Sequence, residues 1–269
     1  MSTSDSLSFL VINPNTTTEM TESLKPVVRS VLSANTTNAN CDFFTAPASS
    51  QPGAFASINT PQESKSSAEY CIESLSKETL DQYDGILVAC YSEHPLVGLL
   101  AAEIQKRGSS STTPHRRKQY VTGIFEASVT TSLSLLSQFP PSSSPSAFGI
   151  VSTGHVWEEA LSDGVNRLLG GNSSGVFAGV TTTGLNAREL HELPDDQVKS
   201  KMADAAGALA SRGNVKVICL GCAGMVGLDD AVRQGVYRIL GEERGKEVKI
   251  VDGVASGIQW LIGAARLGY

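Results

Sequence analysis

Two cysteines carry the chemistry that this chain can be expected to do. Val215 to Leu220 is an apolar run that breaks into the small residues Gly221-Cys222-Ala223-Gly224, and Gly85 to Ala89 is a second that breaks at Cys90. Each reads as a buried parallel strand that delivers a thiol into the loop before a helix. A thiol that can exist as thiolate takes a proton, and a second one that stays protonated gives one back. The ordinary thiol pKa leaves only a few per cent ionised at neutral pH, and a helix N-terminus beyond each cysteine would favour the charged form.

The elements around them alternate strand and helix. Phe9 to Ile12 is a short strand ending at Asn13-Pro14-Asn15-Thr16-Thr17, followed by a helix from about Thr18. Phe148 to Val151 is another strand, ending at Ser152-Thr153-Gly154 before a helix from His155. This alternation specifies parallel α/β sheets. Asn13 to Cys90 is 90 − 13 = 77 residues, and Ser152 to Cys222 is 222 − 152 = 70, so the two halves read as an internal duplication. Ligands in open α/β sheets bind beyond the carboxyl ends of the strands. The expected fold is therefore α/β, with two pseudo-symmetric subdomains, each a roughly four-stranded parallel sheet flanked by helices; if the halves face each other across a pseudo-twofold axis, Cys90 and Cys222 confront one another over a cleft. Polar stretches at Gly108 to His115 and Pro140 to Ser146 read as linkers, and composition alone would cut the chain at the second.

The 269 residues carry a net charge of −6, which argues against a nucleic-acid partner; His115-Arg116-Arg117-Lys118 is the one basic cluster and reads as a solvated loop. The N-terminal apolar run is too short for a signal peptide or a membrane span, so a cytoplasmic protein with no membrane partner is expected. Five scattered cysteines do not suit a disulfide framework. Cys41, Cys71 and Cys219 read as buried small hydrophobes. Cys219-Leu220-Gly221-Cys222 spells a C-x-x-C, but Cys219 lies within the strand and the odd spacing turns the two side chains to opposite faces. With no second pair there is no zinc site, and no metal is expected. No G-x-G-x-x-G follows the first strand, which argues against a nucleotide.

Ile12-Asn13-Pro14-Asn15-Thr16-Thr17, Ala89-Cys90, Gly123-Ile124-Phe125-Glu126-Ala127, Leu220-Gly221-Cys222-Ala223-Gly224-Met225 and Val251-Asp252-Gly253-Val254 together resemble the aspartate/glutamate racemase superfamily, within it the hydantoin and allantoin racemase branch. The branch carries Cys-Phe-Gly-Asp-Pro-Gly after its first cysteine. Here Cys90-Tyr91-Ser92-Glu93-His94-Pro95 stands instead, similar to a fungal variant, and this difference bears on the side-chain pocket more than on the thiol.

The resemblance implies a cofactor-independent racemase of 5-substituted hydantoins or related ureides such as allantoin, with Cys90 and Cys222 as its two bases, a small-molecule substrate and no cofactor. An amino-acid racemase or maleate-type isomerase on the same scaffold, and a non-catalytic small-molecule sensor, stay open; a decarboxylase needs only one thiol. By position, Asn13, Ser152 and Thr153 become candidates for the substrate's polar edge, with backbone N–H groups at Ser92, Ala223 and Gly224 for a developing oxyanion and Tyr91 as a further substrate-binding residue. Glu93 and His94 read equally as acid/base partners or as helix caps, Glu126 as a helix cap ahead of a cleft residue, and Trp157 as core. The resemblance also implies that the active site lies in the cleft between the two subdomains and that the last strand of each half is exchanged, giving subdomains 1–110 plus 246–269 and 111–245. Assembly into a homo-oligomer is left open.

Overall fold

The structure, a computed structural model, describes residues 6–35, 38–108, 118–140, 145–171 and 175–269. Most of the linker beginning at Gly108, residues 141–144 of the second linker and three members of the basic cluster lie outside these residues. The fourth member, Lys118, donates through Nζ to the Tyr269 carbonyl at 2.8 Å.

The first half forms β1 (Leu7–Asn13), α1 (Thr18–Ala34), β2 (Ala39–Thr45), α2 (Pro61–Ser74), α3 (Lys77–Leu80), β3 (Gly85–Val88), α4 (Pro95–Gly108), β4 (Tyr120–Gly123) and α5 (Ile124–Leu136). The second forms β5 (Ala147–Ser152), α6 (Val156–Leu168), β6 (Phe177–Thr182), α7 (Glu189–Glu192), α8 (Asp195–Ala210), β7 (Val215–Leu220), α9 (Asp229–Gly245), β8 (Lys249–Asp252) and α10 (Gly253–Leu267). Two four-stranded sheets result, ordered β2-β1-β3-β4 and β6-β5-β7-β8, and every pairing is parallel. The orders superpose element for element, as a duplication requires.

Strand parity explains how each sheet is buried on both faces. In β1, Phe9 and Val11 face a core shared by the two lobes, whereas Leu10 and Ile12 face a second core under α2 and α4. In β7, Val217 and Cys219 face the shared core, and Ile218 and Leu220 face a third core under α8 and α9.

The expected strand exchange does not occur. β4 pairs with β3, Val88 opposite Gly123, and β8 pairs with β7, Leu220 opposite Asp252. What crosses is the helix that follows: α5 leaves the first sheet to pack on β7 and β8, and α10 leaves the second to pack on β3, β4 and α1. Strand pairing and packing therefore divide the chain at Gly123/Ile124 and Asp252/Gly253 rather than near residues 110 and 246. The return of the last helix to the first lobe agrees with the expectation. The apolar faces of α5 and α10 meet in the shared core through Ile124, Phe125, Val129, Val254, Ile258 and Leu261. No helix among the described residues is long and apolar enough to cross a membrane.

Candidate active site

The carboxyl ends of β3 and β7 bring Cys90 and Cys222 to one small cavity. Ala89, Cys90 and Tyr91 line it from the first lobe; Gly221, Cys222 and Ala223 line it from the second. Asn15 beyond β1, Thr153 beyond β5, and Met20, Ile58, Trp157 and Ala187 complete the wall. Its volume is about 30 Å³, the scale of a water molecule or two. A larger cavity of about 370 Å³ lies beside it, and Trp157 lines both.

Glycine is needed at 221 because a Cβ there would stand 2.6 Å from the Val151 carbonyl oxygen, and the Gly221 N–H donates to that same oxygen at 2.7 Å. The close approach of β7 to β5 thus sets where Cys222 emerges. Cys222 has extended backbone and opens a single 3-10 turn, Ala223–Met225; its Sγ accepts the Gly224 N–H at 3.4 Å. Cys90 is separated from α4 by four residues, and its Sγ lies 4.0 Å from Ser92 Oγ. Ser92 Oγ in turn is 3.3 Å from Ser64 Oγ on α2.

Neither thiol is made acidic by these partners. Burial pushes Cys90 up to about 12, helped by Cys222 nearby, while the hydroxyls of Ser92 and Ser64 pull it part of the way back. Burial likewise pushes Cys222 up to about 11 against the single Gly224 N–H. The expected lowering by helix N-termini is absent, because four residues separate Cys90 from α4 and six separate Cys222 from α9, and desolvation of the charged form dominates at both half-buried thiols. Both sulfurs are therefore thiols at rest, and either thiolate, once formed, is a strong base.

The other sequence candidates divide. Tyr91, Thr153 and Ala223 line the thiol cavity, and Ser92 lines the larger one. Asn13 stands behind the wall: its Nδ2 donates to Asn15 Oδ1, the Thr17 carbonyl and Thr21 Oγ1, and its Oδ1 accepts the Asn15 N–H. It holds Asn15, which is the residue presented. Ser152 is buried and donates to the Gly221 carbonyl at 2.9 Å, bracing the loop that carries Cys222. Gly224 acts through its N–H on Cys222 and packs beside the His191 ring.

His94 is buried, and its Nδ1 accepts the Leu96 N–H at 3.3 Å. Nε2 therefore carries the proton and donates to Ser67 Oγ at 3.2 Å, whose own proton goes to the Ser64 carbonyl. Burial lowers its pKa to about 4, so it is a neutral brace between α2 and α4. Glu93 pairs with Arg167 of α6 at 2.7 Å, bridging the lobes. Glu126 stands three residues after the Gly123 N-cap of α5, the position of a capping carboxylate; its Oε2 is buried without a partner, and burial raises its pKa to about 7 while the nearby backbone N–H groups pull it part of the way back. Cys219 sits in the shared core with its sulfur 3.0 Å from Ser132 Oγ.

The sequence does not mark Asn15, Met20, Ile58, Gly221 or Ser64 as site residues, and it marks Trp157 only as core. Asn15 has a signal, since it shares the Asn13-Pro14-Asn15 turn. Ser64 has none, because it sits in the first turn of α2 in an ordinary Glu-Ser-Lys-Ser stretch. Among the described residues no group of His, Cys, Asp and Glu has the clustering to hold a metal ion.

The model of the Asp/Glu/Hydantoin racemase family matches residues 9–261. An uncharacterized protein of Schizosaccharomyces pombe is 31% identical over 258 residues, 96% of this chain and 92% of its own length. Protein DCG1 of Saccharomyces cerevisiae is 26% identical, covering 94% of each. Among solved structures, the allantoin racemase of Pseudomonas fluorescens superposes with a TM-score of 0.67 at 24% identity, over 97% of this chain and 92% of that one. The allantoin racemase of Klebsiella pneumoniae gives 0.67 at 21% identity, over 98% and 89%. At these identities the two structures bear on the fold. With the family model spanning both lobes and both cysteines, the chain belongs to the Asp/Glu/Hydantoin racemase family, and it is an isomerase of the racemase class.

Proposed function

We propose that this protein is a cofactor-independent racemase of 5-substituted hydantoins or related ureides, working by proton transfer between Cys90 and Cys222. The observation that carries the reading is the meeting of the two thiols, one from each lobe, on a single cavity at corresponding strand ends.

The ring carbon of a hydantoin is flanked by a carbonyl and a ring nitrogen. One cysteine, as thiolate, removes its proton from one face, and the electron pair passes onto the carbonyl oxygen as an enolate. The other cysteine, as thiol, returns a proton to the opposite face and is left as thiolate, so protons and charge balance over the turnover. A thiolate made more basic by burial is a better match for a carbon acid. The backbone N–H of Ala223, which lines the thiol cavity, is the candidate to hold the enolate oxygen, since the Ser92 N–H already donates to the Cys90 carbonyl at 3.1 Å and the Gly224 N–H to Cys222 Sγ.

Every described residue lining the thiol cavity is uncharged. That suits a neutral ring better than the paired charges of a free amino acid, and it favours the ureide reading over an amino-acid racemase. The allantoin racemases with the same fold support the same substrate class. A ring is larger than the cavity, so its binding requires the lobes, which the Glu93–Arg167 pair bridges, to part.

The test is isotope exchange from each pure enantiomer in D2O. Early product should carry solvent deuterium while recovered substrate stays protonated. Cys90→Ser and Cys222→Ser should each abolish inversion and leave exchange of opposite enantiomers. Undiminished racemisation in either variant overturns the two-thiol mechanism, and no turnover of any hydantoin or ureide by the intact protein overturns the substrate class in favour of a sensor.

A further inference from the structure

The larger cavity beside the thiols has walls that the reaction at the ring carbon does not use. It ends on the candidate site: Ser92 forms part of its lining, is only 6% exposed, and holds its Oγ 4.0 Å from Cys90 Sγ. Trp157, 5% exposed, separates it from the thiol cavity. A carbon held between the two sulfurs carries one group that is not part of the ring. A group leaving past Ser92 and Trp157 enters a space of about 370 Å³, enough for a side chain of several heavy atoms.

Its walls are of two kinds. Pro61, Val156 and Leu161 are apolar, and Glu159, Asp163 and Arg167 follow one another at four-residue steps along one face of α6. Glu93 faces them from the first lobe. Arg167 is the one cation among the described lining residues, and Glu93 already holds it at 2.7 Å. Three carboxylates against one guanidinium leave the cavity negative by two, and its one cation engaged.

We propose that this cavity receives the substituent on the substrate's reacting carbon and selects it by charge, favouring amine-bearing and neutral substituents over carboxylate-bearing ones. It rests on the racemase reading for the position of that carbon. A carboxylate entering here meets two uncancelled like charges and finds no free cation, whereas an amine meets opposite charge, and an amide meets neither.

The experiment uses the intact protein and three hydantoins with tails of equal length ending in an amine, an amide or a carboxylate. Racemisation is followed by loss of optical rotation, and binding of the same three is followed separately by thermal shift. The expected result is that kcat/KM falls in that order, the carboxylate about tenfold or more below the amine, with binding in the same order. Glu159→Gln combined with Asp163→Asn, both at exposed positions, should narrow the amine-to-carboxylate ratio. Equal handling of the three tails, a preference for the carboxylate, or an unchanged ratio in the double variant overturns the proposal. Binding in the expected order without racemisation overturns the catalytic reading and supports the cavity; racemisation without the order does the reverse.

Discussion

Gly253 and Ile124 touch where the chain crosses between its lobes. A Cβ on Gly253 would lie 2.7 Å from the Ile124 carbonyl oxygen and 3.0 Å from its Cβ. Ile124 opens α5 directly after β4, and Gly253 opens α10 directly after β8. The two crossings are thus a single packed contact, related by the pseudo-symmetry of the halves, and they fix the lobes side by side at the level of the strand ends. Cys90 and Cys222 face the same cavity because this contact holds the sheets there.

Gly253→Ala tests that contact. The obstructing atom is backbone, which cannot rotate away, so the added methyl has to push α5 from α10. A loss of about 1–3 kcal/mol in denaturant unfolding is expected, the usual range for an overpacked core position. Because both cysteines depend on lobe alignment, kcat should fall as well. A neutral or stabilising effect would show that the crossing does not set the lobe positions.

This junction also explains what could not be read from the residues. β3 and β7 were legible as apolar runs ending in cysteine, and the matched offsets announced two like halves. The crossings were not legible because no linker marks them: β4 ends at Gly123 and α5 begins at Ile124, β8 ends at Asp252 and α10 begins at Gly253. The conspicuous Pro140 to Ser146 stretch joins α5 to β5, after the chain has already crossed.

Ser64→Ala should act on one thiol only. The Ser64 and Ser92 hydroxyls favour the Cys90 thiolate, so removing one raises the Cys90 pKa further and lowers the thiolate fraction at any pH. Conversion of the enantiomer deprotonated by Cys90 is expected to slow about tenfold, the worth of one hydrogen bond to a charged group. The rising limb of its pH–rate profile should move to higher pH, with KM little changed. A purely structural role would leave the limb in place and slow exchange at both thiols alike.

Cys219→Ser supplies the complementary control. Cys219 faces the shared core beside Ser132 and the Ser128 carbonyl, and a hydroxyl finds the same partners. A stability change within about 1 kcal/mol and retained racemisation are expected, measured by urea unfolding and by turnover. Abolished turnover in a folded Cys219→Ser protein would remove Cys222's claim to be the second base.

The candidate site is legible in the sequence where a reactive side chain and a strand end coincide, and obscure where a residue's place depends on what stands opposite. Asn13 and Asn15 are the same residue type two positions apart. Only the tertiary fold shows that Asn13 spends its amide on Thr17, Thr21 and Asn15. Trp157 follows a helical apolar pattern that any core residue would share, and its place between two cavities depends on the segment after β3 of the other lobe, Ala89 to Glu93, which lines both.

Glu126 and His94 should pull stability in opposite directions on acidification. Glu126 has a folded pKa raised to about 7, so its contribution is full below the unfolded carboxylate pKa of about 4.3 and is lost as pH rises through 7. His94 has a folded pKa lowered to about 4, so its contribution is full above the unfolded value of about 6.5 and is lost as pH falls toward 4. Between these limits a falling pH restores the first and removes the second. Urea midpoints at about pH 7 and about pH 5 separate them: relative to the unmodified protein, Glu126→Gln should lose stability on going to the lower pH and His94→Gln should gain it. Each difference is expected at roughly 1–2 kcal/mol, less than the full linkage because Glu126 is only partly enclosed and the ends of both transitions fall outside the window. Glutamine keeps the capping role at 126, so a changed slope there reports the buried charge rather than a lost helix cap. Parallel slopes in all three proteins would show that neither group is held in the protonation state its burial implies.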